Sequence, residues 1–222
     1  MGIHDRKEKE KEIRRNDIID AAERIFFTKG YDHATMDDVA KEAEFSKRTV
    51  YVYFNSKEQI YFEIMTRGYK LLIAMLKTDA PKENANHAIA ELEQMSLTLY
   101  RFSMEHPEYF SAIMEYENGE LDFQKGVPVQ SQEECYALGE ELLGHLTGAL
   151  EKGIAEGIIR GELDVVQTAL VLWACMIGVF NIAKKKEKYI KNYHRTEPEE
   201  LLSAAFQLII RSIQTESGGS LR

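Results

Sequence analysis

The sequence predicts an all-α protein, with a small three-helix head at the N-terminus and a larger helical body behind it. Three observations carry this. Apolar residues recur at helical period over long stretches. Only 4 prolines and 14 glycines interrupt 222 residues. Thr35, Ser46 and Ser56 follow one another at the spacing of successive helix N-caps. A hydrophobic content of 44% supplies a core and excludes wholesale disorder.

Residues 6–12 (RKEKEKE) form a mixed-sign run, read as a solvated arm or frayed first turn. From about Arg14 to Lys29, Ile18, Ala22, Ile25 and Phe26 share one helical face. Gly30 ends that helix in the left-handed C′ position. Thr35 N-caps a short helix, and Asp38 at N3 stands in for the usual Glu of a capping box. Met36, Val39, Ala40 and Ala43 give this helix its apolar side. Ser46 opens a second brief helix, Lys47 to Phe54. Ser56-Lys57-Glu58-Gln59 is another capping box, starting a long helix that runs to about Lys77. Further helices are expected over 83–105, 107–116, 131–157, 164–192 and 197–215. A loop is expected over 122–128, a tight connection over 157–164, and a flexible tail at 217–220. There is no internal repeat.

The net charge is -9, and its distribution matters more than its sum. Residues 1–57 hold 12 Lys+Arg and 12 Asp+Glu, so residues 58–222 carry all of the excess. A neutral head with locally clustered cations can meet phosphates, while the acidic body is repelled by them. The 2 cysteines, Cys135 and Cys175, make neither a disulfide framework nor a metal motif, which fits a reducing cytoplasm. The opening MGIHDRKEKEKEIRR has no apolar h-region, so it is not read as a secretory signal. Val165 to Ala183 is uncharged and about as long as a bilayer requires. Gln167, Thr168 and Asn181 interrupt it, so it is expected to be a buried core or interface helix with no membrane partner. Lys184-Lys185-Lys186 reads as solvated charge at a helix end, with a second nucleic-acid or membrane patch as the alternative.

A helix-turn-helix needs two short helices at a steep angle, a tight turn, and a second helix whose N-terminal residues reach base edges. Residues 35–54 meet this pattern. Val39, Ala43, Phe45 and Val50 would pack the two helices, with small Ala40 allowing close approach. The exposed side of the second helix would offer Lys47, Arg48, Thr49, Tyr51 and Tyr53. Arg can bond bidentately to guanine, and Tyr and Thr hydroxyls suit phosphate oxygens. Lys57 stands where a helix N-terminus also favours a phosphate.

Residues 13–63 closely resemble the DNA-binding domain of the tetracycline-repressor (TetR) family. The resemblance rests on Ile18, Ala21, Ala22, Phe26 and Gly30-Tyr31, then Ala34-Thr35-Met36, Val39-Ala40 and Ala43, then Ser46 to Phe54 and Ser56-Lys57-Glu58. It covers about a quarter of the chain. It implies a TetR-type head over 1–57 and a helical regulatory, ligand-binding and dimerisation domain over 58–222. It also implies DNA contacts by Thr35, Ser46, Lys47, Arg48, Thr49, Tyr51, Tyr53 and Lys57, a homodimer on a near-palindromic double-stranded operator, and release by a small molecule. One position departs from the family pattern: Glu44 stands in the turn where glycine is usual. There φ is often positive, at a cost of about 1 kcal/mol for a non-glycine residue.

In the body, Ala169, Leu172, Trp173, Met176, Ile177 and Phe180 nearly encircle one helix, and Leu201, Ala204, Ala205, Leu208 and Ile209 stripe the last. The expected dimer interface is Ala169, Leu172, Ile177, Phe180, Leu201, Ala205, Leu208 and Ile209, two helices from each copy. Tyr100, Met104, Tyr109, Phe110, Met114, Tyr116, Trp173, Met176 and Asn181 are candidates for lining a pocket suited to an apolar or aromatic effector. His87/Glu91 and Glu141/His145 are i, i+4 pairs without a third ligand. No phosphate loop, nucleophile elbow or dinucleotide fingerprint is present, so no cofactor or enzyme activity is expected. The alternative reading is a nucleoid-associated DNA binder controlled by a protein partner.

Overall fold

The computed structural model describes residues 3–79, 87–117 and 129–215. Their elements are helical: α1 (Ile3–Lys29), α2 (Met36–Glu42), α3 (Lys47–Tyr53), α4 (Lys57–Asp79), α5 (Ala88–Glu105), α6 (Pro107–Glu117), α7 (Val129–Ala155), α8 (Val165–Lys185), α9 (Glu187–Tyr189) and α10 (Pro198–Ile213). The single β-type pairing among the described residues is an isolated bridge between Ile159 and Gln214. The expected loop over 122–128, the tail at 217–220 and residues 83–86 lie outside the described residues.

The chain forms two compact units, which α4 and α7 each thread. The first comprises the described parts of residues 1–70 and 106–138, the second those of 71–105 and 139–222.

In the first unit, α1 begins at Ile3 instead of near Arg14. The mixed-sign run is helical because opposite charges fall at i, i+4, as in Arg6–Glu10 at 3.3 Å. Ile18, Ala22 and Phe26 of α1 are buried with Val39 and Ala40 of α2, Val50 of α3 and Ile60, Ile64 and Met65 of α4. Gly30 takes φ 80°, as its C′ role demands. The α4 cap differs in detail from the expected box: Ser56 Oγ accepts from Gln59 N at 3.2 Å, while Gln59 Oε1 accepts from Asn55 N at 2.8 Å.

In the second unit, Leu92, Leu150, Ile159, Leu172, Phe206, Ile210 and Ile213 form one core. Gly153 admits Ile159: a Cβ there would lie 2.7 Å from Ile159 Cγ1. Gly157 at φ 69° closes α7, and Asp164 caps α8 by accepting from Gln167 N at 2.8 Å. The helix expected over 164–192 stops at Lys185, because Lys186 leaves helical geometry at φ -119°, ψ 22°. One turn of α9 and a π-helical turn, Ile190–His194, follow, closed by left-handed Arg195. Among the described residues, α8 alone has the length and composition to cross a membrane.

Candidate nucleic-acid interface

α2 and α3 are each started by a local side-chain device. Thr35 Oγ1 accepts from Asp38 N at 3.1 Å, and Thr35 N donates to Asp38 Oδ2 at 3.0 Å. The capping box forms with Asp at N3. The Lys29 ammonium, 2.5 Å away, and the Thr35 hydroxyl hold the Asp38 carboxyl down at about 2. Ser46 Oγ accepts from Thr49 N at 3.1 Å and lies 2.8 Å from Thr49 Oγ1.

The turn between α2 and α3 is a Schellman motif with glutamate at C′. Phe45 N donates to Ala40 O at 2.9 Å and Glu44 N to Lys41 O at 3.2 Å. Glu44 adopts φ 56°, the left-handed conformation its position requires. Its side chain is exposed beside α3.

The eight candidate DNA contacts fall at the N-cap of α2 (Thr35), along α3 and its cap (Ser46, Lys47, Arg48, Thr49, Tyr51, Tyr53), and at the start of α4 (Lys57). They differ in readiness. Arg48 is exposed and forms no ion pair with any described residue. Tyr51 is 44% exposed. Lys47 pairs with Asp37 at 2.8 Å, which raises its pKa above the usual lysine value. Lys57 donates to Tyr31 O at 2.8 Å and sits 4.1 Å above the Tyr31 ring, so its ammonium is already engaged. Thr35, Ser46 and Thr49 spend their hydroxyls on the caps. Val52, 73% exposed, was not among the expected contacts, since its apolar side chain gave no signal. Its exposure on α3 suits contact with a thymine methyl.

A polar hub braces α1 within the same unit. Arg67 of α4 reaches Asp20 at 2.6 Å, Glu23 at 3.0 Å and Asn16 at 3.1 Å. Tyr109 of α6 donates to Glu23 at 2.7 Å, and partial burial followed by that carboxylate pushes its hydroxyl pKa up. A Cβ on neighbouring Gly68 would lie 3.2 Å from Tyr109 Cβ and Ile113 Cδ1, so α4 and α6 meet closely here.

The candidate pocket residues divide between the units. Tyr109, Phe110, Met114 and Tyr116 belong to the first, and Tyr100, Met104, Trp173, Met176 and Asn181 to the second. Phe110 and Met114 are buried, whereas Met104 is exposed. Tyr100 donates to Glu199 at 2.6 Å and stacks on Phe180, and desolvation leads the causes that raise its pKa to about 12.

The expected interface residues of α8 face inward. Ala169, Leu172, Ile177 and Phe180 are buried in their own unit. The opposite side of α8 is also apolar and is exposed: Val166, Leu170, Val171, Ala174, Cys175, Gly178 and Ile182. On α10, Leu201, Ala205 and Ile209 are half-buried, and Leu208 is 69% exposed. The i, i+4 metal-like pairs are engaged otherwise: Glu91 pairs with Lys152, and Glu141 with Lys77 at 2.8 Å. No cluster of three metal-ligating side chains occurs among the described residues.

Comparison with known proteins agrees with this geometry. Residues 18–64 match the model of the bacterial regulatory proteins, tetR family. The HTH-type transcriptional repressor NicS of Pseudomonas putida is 25% identical over 162 residues, 71% of either chain. The biofilm operon icaADBC negative transcriptional regulator IcaR of Staphylococcus aureus is 29% identical over 126 residues, spanning 56% of this chain and 65% of IcaR. The fatty acid degradation regulator FadR from Bacillus halodurans shares the fold. It superposes with a TM-score of 0.66 at 19% identity, covering 89% of this chain and 94% of FadR.

Proposed function

Taking as premise that this chain is a TetR-family transcriptional regulator, we propose that it is a repressor that holds a near-palindromic operator as a homodimer and leaves when a small molecule binds. The observation that carries the reading is α3: a capped helix, set by a Schellman turn, with Arg48, Tyr51 and Val52 exposed along it. Residues 1–57 are the reading head and 58–222 the regulatory body. Arg48 reads a guanine edge. Thr35, Ser46, Lys47, Thr49, Tyr51, Tyr53 and Lys57 position the head on the phosphates. Lys47 exchanges Asp37 for a phosphate oxygen on docking.

A palindrome reader needs two heads. The bare apolar side of α8, with Leu208 of α10, is the surface that supports a second copy, since solvent-facing Val166, Leu170, Val171 and Ile182 gain by being covered. The effector is apolar or aromatic, matching the tyrosine- and methionine-rich helices. Fastening α6 to α1 through Tyr109 and Glu23 means that an effector displacing α6 also displaces the head. The chain is not an enzyme and works in the cytoplasm, on DNA.

Selection of bound DNA from a random pool tests this. An inverted repeat should emerge, and Arg48→Ala should lose it while remaining dimeric in solution. A pool without enriched symmetry, or unchanged footprinting by Arg48→Ala, overturns the reading.

A further inference from the structure

Residues 184–195 (KKKEKYIKNYHR) form an anomaly in an acidic body. They hold six of the 16 Lys+Arg of residues 58–222 and one acid, Glu187. The segment is a fixed surface. Lys191 is gripped by Glu187 at 3.0 Å and Glu197 at 2.9 Å across the π-helical turn. The nearby acids are thereby occupied, and Glu199 accepts from Tyr100. Lys185, Lys186 and Lys188 are exposed and form no ion pair with any described residue.

Aromatic rings stand among these cations. Tyr189 is 50% and Tyr193 78% exposed. Their centroids lie 5.4 Å apart at 32°, and His194 meets Tyr189 edge-on at 5.0 Å. The only aliphatic side chain in the segment, Ile190, is buried. The surface thus has no apolar wedge to insert into a bilayer. It is also lysine-rich, a composition that protein interfaces disfavour. Cations beside stacking rings with polar rims suit a nucleic-acid strand, whose phosphates follow the charge and whose bases lie on the rings.

We propose that residues 184–195 are a second nucleic-acid contact, for a single strand, separate from the helix-turn-helix. Phosphates run along Lys185, Lys186 and Lys188, and a base stacks on Tyr193.

The test is fluorescence anisotropy of the full chain with a labelled 20-nucleotide oligo-dT strand, beside a random duplex and phosphatidylserine vesicles. The strand should bind the wild type. The triple variant K185A/K186A/K188A should bind at least about tenfold more weakly and lose about two units of salt slope, three phosphates at ~0.7 each. Tyr193→Ala, at a side chain that fills no core, should weaken binding about tenfold with the slope unchanged. Arg48→Ala should leave strand binding intact, which separates this contact from operator reading. The proposal is overturned if both 184–195 variants bind like the wild type, if Arg48→Ala abolishes strand binding, or if the triple variant loses vesicles and not the strand.

Discussion

The Tyr109 hydroxyl and the Arg67 guanidinium share one carboxylate, Glu23, at 2.7 and 3.0 Å. Three helices are thereby pinned at a single point of α1. Tyr109→Phe removes one donor and leaves Glu23 satisfied by Arg67. It should lower stability by about 1 kcal/mol in urea unfolding. Its operator affinity should become less responsive to effector, because α6 no longer grips α1. A variant with wild-type stability and response would show that the shared carboxylate does no coupling.

Glu44 holds φ 56° with a Cβ that the conformation penalises. Glu44→Gly should stabilise the chain by about 1 kcal/mol. It should also tighten operator binding at low salt, by removing a negative charge next to α3. Thermal melts and operator titration read the two effects separately, and Glu44→Gln isolates the charge.

Asp37 neutralises Lys47 on the exposed surface of α2 and α3. Asp37→Asn should therefore strengthen operator binding severalfold. Lys47 reaches its phosphate in both proteins, so the salt slope should change little, whereas Lys47→Ala should flatten it by about 0.9, the increment for one phosphate contact. An unchanged slope for Lys47→Ala in anisotropy titrations would mean that Lys47 does not reach DNA.

Lys29 and Thr35 depress the Asp38 carboxyl to about 2, below the usual carboxylate value of 3.8. The native state thus favours ionised Asp38 more than the unfolded chain does. Its contribution is complete above about pH 4 and fades as the pH falls towards 2. Urea unfolding of the wild type and Asp38→Asn should differ most at pH 5 and converge near pH 2. A constant difference would assign the effect to the neutral capping geometry.

Gly153 lets Ile159 lie against α7. Gly153→Ala should cost about 1–3 kcal/mol by overpacking, although alanine is the better helix former. Chemical denaturation decides the sign.

What the sequence revealed was local. Thr35 and Ser46 cap helices because a short polar side chain reaches an amide three residues on, a relation written in spacing alone. The positive φ at Glu44 was legible through the family resemblance, which puts glycine in that turn. Hidden features depend on distant partners. Nothing near Lys57 in the chain announces that the Tyr31 ring and carbonyl hold it. On α8 an all-round apolar pattern could not say which side faces its own unit, so Leu172 and Phe180 are core while Leu170 and Val171 face solvent. The break at Lys186 was equally silent, because the lysine run ahead of it suits a continuing helix.

If a second copy covers the bare side of α8, regulation is tied to abundance. If only a second copy covers Val171 and Ile182, dilution strips two functions at once. Each lone chain loses part of its stability, by mass action. A half-reader also loses its hold on a two-fold site, so operator occupancy falls with the square of free chain concentration. A cell could then lift repression by letting the protein run scarce, with no effector present.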